Sequence, residues 1–272
     1  MSSKYSIFAK VIRAGLAGVN AHTLTVALSR ADQLGVDFDV LTEQRAALLL
    51  LEQNSYPESE DELKLFLEVG QALTPAALLD ATLTDEHAVA YMFWLPPFLV
   101  STETHVQKNA SVLLQWCIAN RQTAIAANQA SLEGLRQMAN DPHVSRKQAA
   151  LLAYVLGRCG TPEDADTVIR LAEYGIEHGR ESIALVSEAI YSLNPEGLIS
   201  ALKFFLNSSD EKQFATGLQV LEHITEIDMP DFWSTYYKDI DHITKRLSKL
   251  SSKHRSIGRI LDAVEKNLSM VP

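Results

Sequence analysis

The amino-acid sequence predicts an all-α protein in which most of the chain forms stacked helix pairs. Three observations predict this class. Apolar residues recur at helical intervals almost throughout the 272 residues, alternating strand patterns are scarce, and candidate helix starts recur at near-constant distances. Two cysteines in so long a chain indicate no disulfide framework, so we expect a reducing, cytoplasmic location. No apolar run reaches the roughly 18 residues of a membrane span, and we expect no membrane partner.

The N-terminal segment, residues 1–31, contains basic residues and no acid. We expect one or two helices here, with Ile7, Val11 and Leu16 on one side. The alternative is an organelle presequence, because such segments are basic, rich in Ser and Thr, and poor in acids.

Residues 32–100 form an acidic region, with 13 acids against two bases and a formal charge of −11. Helices are predicted over 40–53, 58–70, 75–82 and 86–95. Glu58, Asp61 and Glu62 lie at the start of the second of these helices, where negative charge complements the helix dipole. The alternative is that these three carboxylates receive a basic protein partner.

The segment 95–102, LPPFLVST, interrupts the helical pattern because adjacent prolines cannot continue a helix. We interpret it as a packed joint between an irregular N-terminal helical region, residues 1–103, and helical repeats over 104–272. The alternative is a peptide pocket in which Trp94 and Phe98 contact a partner, since apolar rings beside a turn are common anchors. A further helix is predicted over 104–119.

Residues 145–172 predict one buried helix, a turn and one amphipathic helix. The eight apolar residues from Ala149 to Leu156 require burial on all sides. Gly157 and Gly160 are expected to end this helix in the left-handed conformation, and Thr161 is expected to cap the next one. In that next helix Asp164 is expected on the polar face, opposite the apolar residues.

The residues around this stretch follow a recognisable order: Asp141-Pro142, Val144-Ser145-Arg146, Ala149-Ala150, Leu156-Gly157-Arg158-Cys159-Gly160 and Thr161-Pro162-Glu163. The order resembles the HEAT-repeat family, in which an Asp-Pro turn, a Val-Arg pair, two alanines and a Leu-Gly end mark the junction of two stacked helices. The extra Ser145 is a departure from that pattern. The resemblance implies a right-handed α-solenoid of antiparallel helix pairs, preceded by a less regular helical N-terminal part.

The distances between candidate helices support an array. First helices of successive pairs are predicted to begin near Ala130, Pro162, Pro195 and Pro230, at intervals of 32, 33 and 35 residues. Their partners are predicted over 145–156, 180–193, 210–227 and 252–268. A period near 34 residues also fits a tetratricopeptide array, which is the alternative geometry.

The C-terminal region is basic, because residues 245–259 contain six basic residues and no acid. These residues are Lys245, Arg246, Lys249, Lys253, Arg255 and Arg259. We interpret them as the polar outer face of a capping helix pair. Alternatives are an anionic-partner patch that neutralises phosphates, and self-association with the acidic region of a second copy to give a homo-oligomer. The net charge of −10 and the lack of interleaved aromatics argue against nucleic acid.

The sequence offers little catalytic chemistry. The eight histidines are scattered, and none has the spacing that places two metal ligands on one helical face. A nucleophile elbow, a phosphate-binding glycine loop and a Cys-x-x-Cys pair are all lacking from the sequence. We therefore predict no catalytic residue, no metal and no cofactor.

These patterns predict a non-enzymatic protein-binding module, because stacked helix pairs present an extended surface to a partner. The acidity and the mass of 30.1 kDa suit an adaptor, or an inhibitor or immunity-type protein with a basic partner. A HEAT-like enzyme acting on nucleic acid and a self-assembling structural subunit are the alternatives. Contacts are expected on the second helices of the pairs, which in HEAT-like arrays commonly line the inner face.

Overall fold

A computed structural model describes residues 56–69, 83–176, 180–227, 229–250 and 255–269. Every regular element in these ranges is a helix, and no strand occurs among them. The prediction of an all-α fold is therefore confirmed for this part of the chain. The helices predicted over 40–53 and 75–82, and the segment 1–31, lie outside the described residues.

The chain divides into two compact units, residues 1–134 and residues 135–272. The sequence-based division at residue 103 concerns where regular helix pairs begin, and it stays a prediction.

The described helices of the first unit pack around one long helix. Its described elements are α1 (Glu60–Val69), α2 (Asp85–Trp94), α3 (Pro96–Leu99) and α4 (Thr104–Ala127), followed by a 3₁₀ turn at Gln129–Leu132. α4 packs against α1, α2 and α3 and buries Leu113, Leu114 and Ile118 completely. The helices predicted over 58–70, 86–95 and 104–119 are confirmed, although the last continues to Ala127.

α4 is kinked at Arg121, whose φ of −135° and ψ of 30° are not helical. The Arg121 side chain donates from Nε and Nη2 to the carbonyl oxygen of Leu83, at 3.0 and 2.6 Å. Its guanidinium also lies 3.5 Å from the carboxylate of Asp85. These contacts fix the start of α2 against the kink.

The second unit contains nine described helices, counting α5, which spans the division between the units. They are α5 (Glu133–Ala139), α6 (Arg146–Cys159), α7 (Ala165–Gly175), α8 (Arg180–Tyr191), α9 (Pro195–Asn207), α10 (Glu211–Thr225), α11 (Pro230–Thr235), α12 (Tyr237–Ser248) and α13 (Arg255–Ser269). The helices predicted over 145–156, 180–193, 210–227 and 252–268 are confirmed as α6, α8, α10 and α13. The break at Tyr236, which separates α11 from α12, was not predicted.

Seven of the described helices of the second unit contact one another in two series. α6, α8, α10 and α13 contact one another in succession, and we call them the second helices. α7, α9 and α12 also follow one another, and each contacts a second helix: α7 packs on α6, α9 on α10, and α12 on α13. Because α6 lies between α7 and α8, all residues from Ala149 to Leu156 are buried, as the apolar run predicted.

The glycines of α6 have a different role from the predicted one. Gly157 lies inside α6, and a Cβ there would approach the Ala189 carbonyl oxygen of α8 to 2.4 Å. Gly160 follows the helix with φ −73° and ψ −173°, which is extended and not left-handed. The prediction of left-handed helix ends was therefore wrong. Gly157 is needed for the close approach of two helices, which a single-helix pattern does not reveal.

Asp164 is buried and does not belong to the polar face of α7, which corrects the sequence-based assignment. The chain from Pro162 to Asp164 forms a 3₁₀ turn, so α7 begins only at Ala165. Asp164 accepts hydrogen bonds from Arg136 Nε and Nη2, at 3.0 and 2.9 Å, and from the Thr161 amide at 2.8 Å. The carboxylate thus joins α5 to the turn before α7.

Candidate functional site

The aromatic residues predicted to anchor a peptide lie at the junction of α2 and α3 in the first unit. Trp94 and Phe98 are half-buried, and the Trp94 ring lies 5.9 Å from that of Tyr91. The neighbouring Phe93 is 53% exposed and Val100 is 57% exposed. The double proline starts the short helix α3 directly after α2. The peptide-pocket role of Trp94 and Phe98 stays a prediction.

The acidic residues predicted to contact a partner, Glu58, Asp61 and Glu62, lie at the start of α1. Two of them, Glu58 and Glu62, form hydrogen bonds that cap this helix end. Glu62 Oε2 accepts a hydrogen bond from the Glu58 amide at 2.8 Å. Ser59 Oγ accepts one from the Glu62 amide at 3.3 Å. Glu58 and Asp61 are exposed. The capping interpretation accounts for Glu62, and a partner for these three carboxylates stays a prediction.

The described residues of the basic C-terminal region differ in their contacts, and their role as an anionic-partner or self-association patch stays a prediction. Lys245 pairs with Asp241 at 2.6 Å, and that hydrogen bond raises the pKa of the lysine. Arg259 pairs with Glu222 of α10. Arg246 donates to the Asn207 carbonyl oxygen at 3.3 Å. Lys249 is exposed, Arg255 is the first residue of α13, and Lys253 lies outside the described residues.

The second helices are joined across each helix boundary by polar pairs. Arg158 of α6 and Glu188 of α8 form an ion pair at 3.0 Å. Ser187 of α8 donates to Gln219 Oε1 of α10 at 3.2 Å. α10 and α13 are joined by the Glu222–Arg259 pair and by Asn267, which donates to the Thr225 carbonyl oxygen at 3.0 Å. We call the surface that carries these pairs the second-helix face.

Two adjoining clefts open on the second-helix face. The first, of about 350 Å³, lies between α8 and α10, and the second, of about 310 Å³, lies between α10 and α13. Glu222 and Glu226 line both clefts, so the two are continuous. The described lining of the first cleft contains Glu188, Glu222 and Glu226 and no lysine or arginine.

An aromatic pair lies in the first of these clefts. The rings of Tyr191 and His223 have centroids 4.2 Å apart and are tilted by 36°. Burial, reinforced by the charge of Glu188, raises the pKa of the Tyr191 phenol. Tyr191 therefore stays a neutral hydrogen-bond donor at neutral pH. The cleft between α8 and α10 presents an aromatic platform beside carboxylates, which is an arrangement suited to a cationic side chain.

A third cleft, of about 570 Å³, lies where α5 and α7 end and α6 and α10 begin. We call it the loop-edge cleft. Its described lining is Asp141, Pro142, Val144, Arg146, Arg170, Leu171, Glu173, Tyr174, Ile176, Asp210, Lys212 and Gln213. Arg146, Arg170 and Lys212 make this cleft more basic than the one between α8 and α10.

The cysteines are buried within the helical packing. Cys117 and Cys159 form no disulfide, and neither has solvent-exposed surface. Burial raises the pKa of Cys117 well above its ordinary value and that of Cys159 to about 12. Because the thiolate is the reactive form, both thiols are inert in the folded protein at neutral pH.

The described residues bring together no group of three His, Cys, Asp or Glu side chains that could hold a metal ion. Among the described helices, none is both long and apolar enough to span a bilayer.

Sequence reasoning named the second helices but only one candidate contact residue on their face, Arg259, which it assigned to the basic C-terminal region. The signal that it missed is the regular sequence separation of polar residues that bond across neighbouring helices. Arg158 and Glu188 lie 30 residues apart, and Ser187 and Gln219 lie 32 residues apart, close to one helix pair. Complementary polar residues separated by about one helix pair would have identified the contacts of α6 with α8 and of α8 with α10.

No protein-family model matches the chain, and no curated protein matches it. Among solved structures, the chain is similar to the crystal structure of an engineered protein from the Northeast Structural Genomics Consortium. The identity is 15%, the TM-score is 0.42, and the match covers 97% of this chain and 69% of that chain. A likeness of this degree carries no argument about function.

Proposed function

We propose that the chain is a non-enzymatic protein-binding module, of the adaptor or inhibitor type, that holds a basic protein partner on its second-helix face. We further propose that α5 to α13 form HEAT-like helix pairs with this face as their inner surface. The observation that carries the proposal is the continuity of two clefts across α8, α10 and α13, joined through Glu222 and Glu226. A surface shared by successive helices suits an extended partner.

Charge supports a basic partner. Glu188 and Glu222 are paired with Arg158 and Arg259, whereas Glu226 is exposed and forms no ion pair among the described residues. A lysine or arginine of a partner could reach Glu226 and lie against the Tyr191 and His223 rings. Such contacts speed encounter and set orientation.

The existing pairs support a preorganised surface. Each side chain that bridges two second helices has lost much of its rotamer freedom before a partner arrives. Binding to such a face costs less conformational entropy than binding to unpaired, mobile side chains. This favours recognition of a partner by a fixed surface.

A matched pair of charge reversals tests the proposal. Glu226→Arg changes the second-helix face, and Glu196→Arg makes the same change at the exposed start of α9. The wild type and both variants are used as bait in cells that naturally make this protein. The captured species is then purified, and its dissociation constant is measured at low and high salt.

We expect a stoichiometric basic protein with the wild type and with Glu196→Arg, bound roughly tenfold more weakly by Glu226→Arg. Equal binding by the two variants would contradict a site on the second-helix face. Recovery of nucleic acid, or of the chain alone as a concentration-dependent oligomer, would instead favour the nucleic-acid enzyme or the self-assembling subunit.

A further inference from the structure

The loop-edge cleft carries two arginines, Arg146 and Arg170, that form no ion pair with any described residue. Arg146 is exposed at the first position of α6, and its guanidinium lies over the Tyr174 ring, 5.7 Å from the centroid. Tyr174 is itself 48% exposed. An aromatic ring positions a guanidinium while leaving its N–H groups able to donate.

Arg170, on α7, is held by neutral acceptors. Its Nη2 donates to the Ala139 carbonyl oxygen at 3.0 Å and to Asn140 Oδ1 at 3.3 Å. These bonds fix the side chain without neutralising it. Among the described residues, no carboxylate lies within ion-pair distance of Arg146 or Arg170, although three carboxylates line the same cleft.

Two of those carboxylates are engaged by backbone amides. Asp141 Oδ1 accepts from the His143 amide at 2.8 Å. Asp210 Oδ1 accepts from the Lys212 and Gln213 amides, both at 3.0 Å, and caps α10. The hydrogen bond from the Gln213 backbone amide is the main cause of the lowered pKa of Asp210. These acids stabilise a turn and a helix end, and the third, Glu173, is exposed.

We propose that the loop-edge cleft binds a carboxylate side chain in an acidic segment of a protein. Arg146 and Arg170 donate to the carboxylate, whose planar shape matches the guanidinium fork. The Tyr174 ring and the apolar side chains of Pro142 and Val144, which are exposed or half-buried in the cleft, contact the aliphatic part of the segment. This site lies apart from the second-helix face and has the opposite charge preference, so it does not depend on the proposed function.

The charge distribution favours a protein segment over nucleic acid. Residues 135–272 contain 16 Lys and Arg residues and 19 Asp and Glu residues, a formal charge of −3, and the whole chain carries −10. A polynucleotide requires a row of cations along its backbone. The loop-edge cleft offers a compact cluster with apolar walls, which suits one or two carboxylates.

Fluorescence anisotropy with fluorescein-labelled hexaglutamate tests the proposal in the full-length protein at low ionic strength. The variants are Arg146→Gln and Arg170→Gln, with Lys147→Gln as the matched control. Lys147 is the next residue of α6, is exposed, and does not line the cleft. Its substitution by glutamine removes the same charge as each arginine substitution. Thermal melts confirm that each variant is folded. Arg146→Gln is the decisive variant because, in the part of the chain that the structure describes, the Arg146 side chain packs on the Tyr174 ring and forms no hydrogen bond or ion pair.

We expect each cleft variant to weaken hexaglutamate binding by roughly tenfold and Lys147→Gln to change it less than twofold. Equal weakening by all three variants, or no binding by the wild type at millimolar protein, would overturn the proposal. So would equally tight binding of a thymidine hexanucleotide with the same arginine dependence. Loss of partner capture by Glu226→Arg bears only on the second-helix face, so the two proposals fail separately.

Discussion

The helices α6 and α13 of the second unit bury their residues in contrasting ways. In α6, which lies between α7 and α8, the buried residues run without interruption from Ala149 to Gly157. In α13 the buried apolar residues are Ile257, Ile260, Leu261 and Val264, which form a single stripe. The difference shows that a helix enclosed between its neighbours needs a continuous apolar run, whereas a helix that keeps one side in solvent needs one apolar face.

The glycines of α6 and α13 also differ in the space that surrounds them. A Cβ at Gly157 would meet the α8 backbone at 2.4 Å, and a Cβ at Gly258 of α13 would meet nothing within 4 Å. Glycine in α6 permits close helix contact, whereas glycine in α13 only weakens a helix.

The largest effect is therefore expected from alanine at these two glycines. Gly157→Ala must push α6 away from α8, and we expect it to lower the free energy of unfolding by about 3 kcal/mol or more. Gly258→Ala should raise it by about 0.5–1 kcal/mol, because alanine favours the helix and no neighbour is displaced. Urea denaturation of both variants measures the difference. If both substitutions changed the free energy of unfolding in the same direction, the proposed difference between the two glycines would be wrong.

The next effect concerns the buried carboxylate beside α7. Burial alone would raise the pKa of Asp164, but the hydrogen bonds from Arg136 and the Thr161 amide outweigh it, and the pKa lies below its ordinary value. Asp164→Asn should cost about 1–3 kcal/mol at pH 7, because the charge-assisted bonds to Arg136 are lost.

The pH dependence of that cost follows from the direction of the pKa shift. A carboxyl with a lowered folded-state pKa contributes stability above its unfolded pKa of about 4, and this contribution is lost as the pH falls through the folded pKa. The gap between wild type and Asp164→Asn, measured by urea denaturation, should therefore narrow between pH 5 and pH 2. A gap that is constant over this range would show that Asp164 acts by packing alone.

The smallest effects are expected at the ion pairs between second helices. In the Arg158–Glu188 pair the side chains are 26% and 37% exposed, and in the Arg259–Glu222 pair they are 76% and 38% exposed. Double-mutant cycles with glutamine should give a coupling of about 0.5–1 kcal/mol for the Arg158–Glu188 pair. The Arg259–Glu222 pair, which is more exposed, should give less, and 1 M NaCl should reduce both couplings. A stronger coupling in the Arg259–Glu222 pair would contradict the difference in exposure.

The sequence alone predicted much of the helical framework of the second unit. The run from Ala149 to Leu156 defined α6, and prolines at 162, 195 and 230 marked helix starts. These features are local, because periodicity and capping act within one helix. Gly157 and Asp164 were misassigned for the opposite reason, since their roles are set by Ala189 and Arg136, which belong to other helices.

The candidate site was less predictable for the same physical reason. Choosing Trp94 and Phe98 depended on residue type, whereas the ring with most exposure in that segment is Phe93, because exposure depends on how α2 packs. Likewise Arg146 meets Tyr174 only because α6 lies beside the end of α7. The rotation of each helix about its axis determines which side chains converge, and periodicity does not fix that rotation between helices.

The bonded pairs along the second-helix face lie progressively further apart in the chain. Their separations are 30 residues for Arg158 and Glu188, 32 for Ser187 and Gln219, and 37 for Glu222 and Arg259. The difference of seven residues between the first and last separations equals about two helical turns. A search that compares the sequence with itself at one constant offset, chosen from α6 and α8, therefore no longer aligns the bonded residues of α10 and α13. Because the separation of the bonded residues changes from one pair of neighbouring helices to the next, the contact between α10 and α13 is recognised from the structure and not from a fixed sequence period.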